Sequence, residues 1–328
     1  MESTTKIRVT LDELTEITNG TLGARAISAS ELADGWFNTI YRIELDGGEQ
    51  IVIKMAPPAS HRVMRYERNL LQAEVDVLRL LTGIDGVPVP RVLAFDQSGT
   101  LHRHDFFLME FVHGDSYGKV RTDLEPGARS AIDFELGAIS ARINAIAGSR
   151  FGRFQRDRCA AQTWAESILA MVDDVLYDAR DAGVELPLPP ETIRDAYIGA
   201  RTELAEVDTP RLVVWDLHPG NVFVADGRVT GIIDCDRSLW GDPLMEYFFR
   251  SIAKTDPAFR DGYAADEAGS RLLTRPGAER SCWLYDLYLA LILIVECGFR
   301  GYPQSHVDWA HSEFRRVVDD AKPGWLPG

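Results

Sequence analysis

An aspartate, an asparagine and a second aspartate stand at positions 216, 221 and 234, within LVVWDLHPGNVFVADGRVTGIIDCD at 212–236. Val213-Val214 closes an apolar run and Pro219-Gly220 breaks the chain. Val222 to Val224 and Val229 to Ile233 read as two short strands, with turn chemistry at Ala225-Asp226-Gly227 between them. Such a hairpin returns Asp234 toward Asn221 and the loop that carries Asp216. These residue types at this spacing suit phosphoryl transfer. One carboxylate accepts the proton of an attacking hydroxyl, while a second carboxylate and an amide oxygen hold Mg²⁺ on the phosphates. Asp216 is then the base, and Asn221 and Asp234 are the metal ligands.

The segment D-L-H-P-G-N at 216–221, followed by I-I-D at 232–234, resembles the catalytic loop and metal-binding strand of the aminoglycoside phosphotransferase family. It is similar, more distantly, to those of protein kinases. Relatives have His-Gly before the catalytic Asp, where this chain has Val214-Trp215, a departure that bears on the loop's support. A surface hairpin explains each acid singly but not the pattern. No D-F-G or A-P-E follows; the chain passes from Asp234 through Cys235-Asp236 into Trp240-Gly241-Asp242-Pro243, which argues against a protein kinase.

A phosphate-binding cation must come from elsewhere in the chain. Lys54 lies in the β-branched run Ile51-Val52-Ile53, which reads as a buried strand, and a lysine there needs a partner. Val63 to Leu81 has helical spacing, with Glu67, Leu71, Glu74, Leu78 and Leu81 on one stripe. Glu74 lies between Leu71 and Leu78, so it points inward, where an unpaired carboxylate is costly; pairing with Lys54 satisfies both. Glu67 is the competing partner. In the resembled family this pair orients the lysine onto the α- and β-phosphates.

By position in that family, Gly35, Trp36, Phe37 and Asn38 cover the phosphates as part of a strand-turn-strand, although a plain hairpin turn accounts for them as well. Val87 to Asp96 and Phe106 to Val112 read as further strands. The second resembles the inter-lobe hinge, which implies that the Glu110 carbonyl and the Val112 amide meet the adenine edge.

After residue 114 the pattern turns helical. Ala128 to Ile146, Ala160 to Asp178, Pro190 to Val207 and Ser281 to Gly298 carry apolar residues at helical spacing. Asp242 precedes Pro243 and suits a helix cap or a brace for the catalytic loop. Asp236 shares a strand face with Asp234 if the strand continues, where it serves a second Mg²⁺ or a local hydrogen bond. His218 takes a supporting role. Glu246 and the polar members of the last helix, Asp286 and Glu296 among them, are expected to face a substrate pocket. Thr255 to Ala278, rich in Gly, Asp, Ala and Arg, reads as a mobile loop at its rim.

The chain has 328 residues and 45% hydrophobic content, enough for one large domain or two lobes. Its formal charge of −15 disfavours nucleic acid and leans toward a cationic substrate, though an acidic surface also serves solubility. Four cysteines without C-x-x-C spacing fit a cytoplasmic protein, and no membrane insertion is expected because the apolar run Leu287 to Val295 is short. Together these readings predict an α+β, bilobal protein-kinase-like fold. Residues 1–112 form a small antiparallel-sheet nucleotide-binding lobe and 113–328 a larger, mostly helical catalytic and substrate-binding lobe. The implied reaction moves the γ-phosphate of ATP, with GTP an open alternative, to a hydroxyl of a small molecule. An aminoglycoside or other hydroxylated antibiotic heads the acceptors; a choline, homoserine, sugar or nucleoside type, or a nucleotide-binding regulator without catalysis, are the alternatives.

Overall fold

Thr10 opens the first helix, α1 (Leu11–Leu22), through a reciprocal cap: its hydroxyl accepts from the Glu13 amide at 3.2 Å and the Glu13 carboxylate accepts from the Thr10 amide at 2.8 Å. This helix is absent from the expectations above, although the Thr-x-x-Glu spacing marks it. The computed structural model describes residues 6–32, 37–155, 159–253, 257–265 and 267–327.

Three strands follow, β1 (Ala26–Glu31), β2 (Thr39–Leu45) and β3 (Gln50–Met55), then α2 (Leu70–Leu81), β4 (Val92–Asp96) and β5 (Phe106–Glu110). The strands form one antiparallel sheet in the order β1-β2-β3-β5-β4. In it Lys54 pairs with Ile40 on one side and Phe107 on the other, the central position its apolar flanks require. The helix expected from Val63 begins only at Leu70, because Arg68 is extended and Asn69 sits in the left-handed region at φ 60°. A short 3₁₀ turn at Arg65–Glu67 precedes it. β4 likewise starts later than Val87, since Pro88 and Pro90 withhold amides from a ladder.

The second lobe begins with β6 (Asp115–Ser116), α3 (Tyr117–Val120) and α4 (Pro126–Asn144), followed by β7 (Gly152–Arg153) and α5 (Trp164–Ala182). Pro190 to Val207 is two helices, α6 (Pro190–Ile198) and α7 (Arg201–Ala205), parted at Gly199-Ala200. Then come β8 (Arg211–Val213), β9 (Val222–Ala225), β10 (Arg228–Ile232) and β11 (Leu239–Gly241). The rim segment is more ordered than its composition suggests: α8 (Ala258–Tyr263) and α9 (Glu267–Thr274) occupy it, and Phe259 and Tyr263 are buried. α8 crosses α4 at close range, where a Cβ on Gly137 or Gly262 would stand 2.0 Å from a carbonyl oxygen of the facing helix. Two helices end the chain, α10 (Ala278–Arg300) and α11 (Gln304–Asp319). α10 is long and apolar enough to cross a membrane, but 67% of its apolar window is buried inside the lobe, so its hydrophobicity serves the core.

The β9–β10 hairpin forms as its turn residues predict, with Asp226 and Gly227 both at positive φ. It docks against the segment that leaves β5. Gly231 has no Cβ because one would lie 2.3 Å from Val112 Cγ1.

Candidate active site

Lys54 is buried and its ammonium meets three carboxylates: Glu74 Oε2 at 2.6 Å, Asp234 Oδ1 at 2.5 Å and Asp236 Oδ2 at 3.7 Å. Burial pulls the ammonium toward neutrality, but Asp234, Glu74 and Asp236 together hold it well above its ordinary value. Burial pushes the Glu74 carboxyl up to about 7 against the pull of Lys54. Asp234 moves the other way, since attraction to Lys54 outweighs its burial. The competing acid, Glu67, faces elsewhere: it accepts from the Met64 amide at 2.8 Å and pairs with Arg300.

Asn221 is buried at the foot of the hairpin. Its side-chain nitrogen donates to the Asp216 carbonyl at 2.9 Å and its carbonyl accepts from the Ile233 amide at 3.0 Å. These two bonds lock the 216–221 loop to the residue preceding Asp234, and they leave Oδ1 as the ligand-type atom of Asn221. Asp234 itself has φ 61°, the left-handed region, with 38% of its side chain exposed. That strained backbone turns its carboxylate out of the strand line.

The acidic groups Glu74, Asp234 and Asp236 offer ligand atoms within 4.8 Å of one another. Burial and the neighbouring Asp234 charge force the Asp236 carboxyl well above the carboxylate range, and Glu74 Oε1 is buried without a hydrogen bond. Three acids against one lysine leave negative charge in excess, and oxygen is the donor type that Mg²⁺ takes. The residues therefore fit a divalent cation held by Asp234 and Asn221, with Asp236 beside them.

Val214-Trp215, where relatives have His-Gly, is supported from an unexpected quarter. Glu246 is fully buried, and its carboxylate accepts from the Val214 amide at 2.9 Å, the Trp215 amide at 3.1 Å and Asn144 Nδ2 at 3.1 Å. It braces the loop and does not face a substrate pocket as expected. Trp215 is itself left-handed, with φ 65°. Asp242 caps the turn at Leu244 at 3.2 Å and is held by Tyr285 Oη at 2.6 Å and by Arg275. Asp286 is occupied by Arg250 at 2.9 Å and the Ser251 amide at 3.1 Å. His218 accepts from the Gly220 amide at 2.9 Å, a local support for the loop.

Of the residues expected to cover the phosphates, Gly35 and Trp36 lie outside the described residues. Phe37 packs its ring 4.8 Å from the Arg300 guanidinium, against the second lobe, and Asn38 is buried. At the hinge, the Glu110 side chain pairs with Arg91 at 2.7 Å and Val112 packs on Gly231. A cavity of about 390 Å³ near α10 and α11 is lined by Arg250, Trp283, Asp286 and Trp325, and of the expected residues it holds Asp286 but none of Lys54, Glu74, Asp216, Asn221 and Asp234.

One group beside Asp216 had no sequence signal of its own. Arg237 Nε stands 3.9 Å from Asp216 Oδ2, and its Nη2 donates to Glu296 at 3.0 Å. Its Cζ lies 5.4 Å from the centroid of the Tyr66 ring and 5.7 Å from that of the Trp215 ring. Tyr66 Oη also donates to Glu296, at 2.5 Å. The segment carrying Tyr66 is anchored to the second lobe through Arg65, which pairs with Asp178 and, at 2.7 Å, with Asp181.

A model of the phosphotransferase enzyme family matches residues 28–279. No curated protein matches the chain in sequence. Among solved structures, a ternary complex of a thermostable mutant of aminoglycoside phosphotransferase APH(4)-Ia with ADP and hygromycin B aligns with a TM-score of 0.64 at 17% identity, over 94% of this chain and 98% of that one. A streptomycin-ATP-APH(2")-IIa ternary complex aligns at 0.63 and 18%, over 94% and 97%. A provisionally assigned fructosamine-3-kinase from Thermobifida fusca YX-ER1 aligns at 0.68 and 20%, over 93% and 100%. The architecture is thus the bilobal, kinase-like one, with five antiparallel strands in the first lobe.

Proposed function

The chain belongs to the phosphotransferase enzyme family and is a small-molecule kinase, and from that premise we propose that it moves the γ-phosphate of ATP to a hydroxyl, with Asp216 as base. The convergence of Lys54, Glu74 and Asp234 beside the Asp216–Asn221 loop carries this reading. Asp216 takes the proton of the acceptor hydroxyl as its oxygen bonds to the γ-phosphorus. The bond from that phosphorus to the β,γ-bridging oxygen breaks, and ADP leaves with the electron pair. Lys54, positioned by Glu74, holds the α- and β-phosphates. Asn221 and Asp234 hold Mg²⁺, which when bound neutralises phosphate charge. The Glu110 carbonyl and the Val112 amide receive the adenine edge, and Phe37 and Asn38 lie at the mouth of the nucleotide site. Catalysis rests on positioning and charge, with no covalent intermediate on the protein.

Two of the neighbours named above are complexes with hygromycin B and with streptomycin, which supports a hydroxylated antibiotic among the acceptors to test first. A small-metabolite acceptor is the second reading, and the guanidinium beside Asp216 favours it. ADP release is measured with Mg-ATP across aminoglycosides, amino sugars, nucleosides, choline and hydroxy acids, in wild type and Asp216→Ala. The expected result is acceptor-stimulated release that Asp216→Ala abolishes while nucleotide binding persists. Turnover equal to wild type in that variant would remove Asp216 from the role of base.

A further inference from the structure

Among the described residues, the other carboxylates paired with Arg237 and Arg300 beside Asp216, Glu296 and Glu67, are already engaged. Glu296 Oε1 accepts from Tyr66 Oη and Arg237 Nη2, with Arg300 at 3.9 Å, and Glu67 is taken by Arg300 and the Met64 amide. The donors are not exhausted. A guanidinium has five N–H groups in one plane, and among the described residues Nε and Nη1 of Arg237 make no hydrogen bond; Nε only approaches Asp216, at 3.9 Å. Arg237 and Asp216 expose 21% and 28% of their side chains, so both open to the cleft. The guanidinium is also fixed: Tyr66 and Trp215 lie near it and Glu296 tethers one end. Its tether to α10 is distinct from the Lys54–Glu74–Asp234 contacts that would face the nucleotide.

We propose that Arg237 is a specificity-determining residue that reads an oxyanion, a carboxylate or a phosphate, carried on the acceptor close to the hydroxyl that Asp216 deprotonates. This deepens the kinase reading and rests on it. An acceptor hydroxyl on Asp216 has its neighbouring substituents within reach of a guanidinium 3.9 Å away. The unbonded Nη1 of this fixed guanidinium can donate a charge-assisted hydrogen bond to an oxyanion's oxygen, and the same charge repels an ammonium placed there. The formal charge of −15 is a property of the whole chain; the charged group paired with Asp216 is a cation.

The test measures Mg-ATP turnover with four classes of added compound: 3-hydroxy acids, sugar phosphates, the corresponding uncharged polyols and sugars, and aminoglycosides. It uses wild type, Arg237→Gln and the charge-retaining Arg237→Lys, with circular dichroism as the folding control. Hydroxy acids or sugar phosphates should stimulate ADP release, the more effective class identifying which oxyanion is read. KM for that compound should rise roughly 10- to 100-fold in Arg237→Gln, kcat changing less, with partial recovery in Arg237→Lys. The proposal is overturned if aminoglycosides or uncharged compounds stimulate and oxyanions neither stimulate nor compete. An unchanged KM for an oxyanion in Arg237→Gln overturns it too, as does a fall in kcat alone for every acceptor, which would reassign Arg237 to the transferring phosphoryl group. Asp216-dependent ATP hydrolysis that no compound affects defeats this proposal and leaves the kinase reading standing. Absence of all Mg-ATP turnover defeats both.

Discussion

Gly231→Ala tests whether the segment leaving β5, proposed to meet the adenine, and the β9–β10 hairpin are mechanically one unit. The new Cβ would stand 2.3 Å from Val112 Cγ1 and 3.0 Å from Cγ2, where ordinary carbon contacts lie near 3.5–4.0 Å. At least about 1.2 Å must be recovered, either by Val112 withdrawing or by β9–β10 shifting away. Val112 is β-branched and stiff about χ1, and Gly231 has no positive φ, so the substitution acts through this clash alone. Overpacking of this kind costs roughly 1–3 kcal/mol, offset by about 0.4–1 kcal/mol from the less flexible unfolded chain. A net loss near 1–2 kcal/mol is expected in urea unfolding. The Val112 amide moves with its side chain, so KM for ATP should rise roughly 10-fold, while acceptor KM changes little. Val112→Ala removes the atoms in conflict, and the double variant should regain stability with a coupling of about 1–2 kcal/mol. Wild-type stability and wild-type KM in Gly231→Ala, or no coupling to Val112→Ala, would refute the reasoning.

Glu74→Gln should weaken ATP use while leaving the protein folded, because burial already pushes that carboxyl up to about 7 and a neutral isostere suits the site; equal ATP kinetics would separate Glu74 from Lys54's function. Lys54→Met should lower kcat/KM by roughly 10²- to 10³-fold in the ADP-release assay, the scale for losing a preorganised cation at a site of developing charge. Glu246 gives a pH dependence: burial raises its carboxyl from 4.5 to about 7 against the amides of Val214 and Trp215 and the side chain of Asn144. A folded value above the unfolded one means its stabilisation is complete below pH 4.5 and is lost as pH rises to about 7. Relative to Glu246→Gln, wild type should therefore lose about 3 kcal/mol between pH 4.5 and 7 in urea unfolding, and parallel pH profiles would count against it.

Local chemistry is written in residue types and short spacings, and those were legible. D-L-H-P-G-N with I-I-D named the loop and the hairpin, because turn residues and β-branched runs act over a few positions. Lys54 and Glu74 could be paired across 20 residues since each lay on an apolar face where an unpaired charge is untenable. Helix limits were less legible where a single backbone conformation decides them, as at Asn69, whose left-handed φ delays α2 to Leu70. The rim segment misled because Gly and Ala composition suggests a loop, while the packing of α8 on α4 needs those small residues for close approach.

Sequence alone thus determined the reaction class, through groups whose types are rarely assembled for anything else. Only the tertiary structure decided what surrounds the base. Glu246 supports the loop from 31 and 32 residues away, and Tyr66, Arg237 and Glu296 meet across separations of up to 230 residues. Such contacts leave no periodicity or spacing in the chain. They exist because separate elements bring a buried acid to unpaired amides and a guanidinium to aromatic faces, and each group is satisfied only once the lobes have packed.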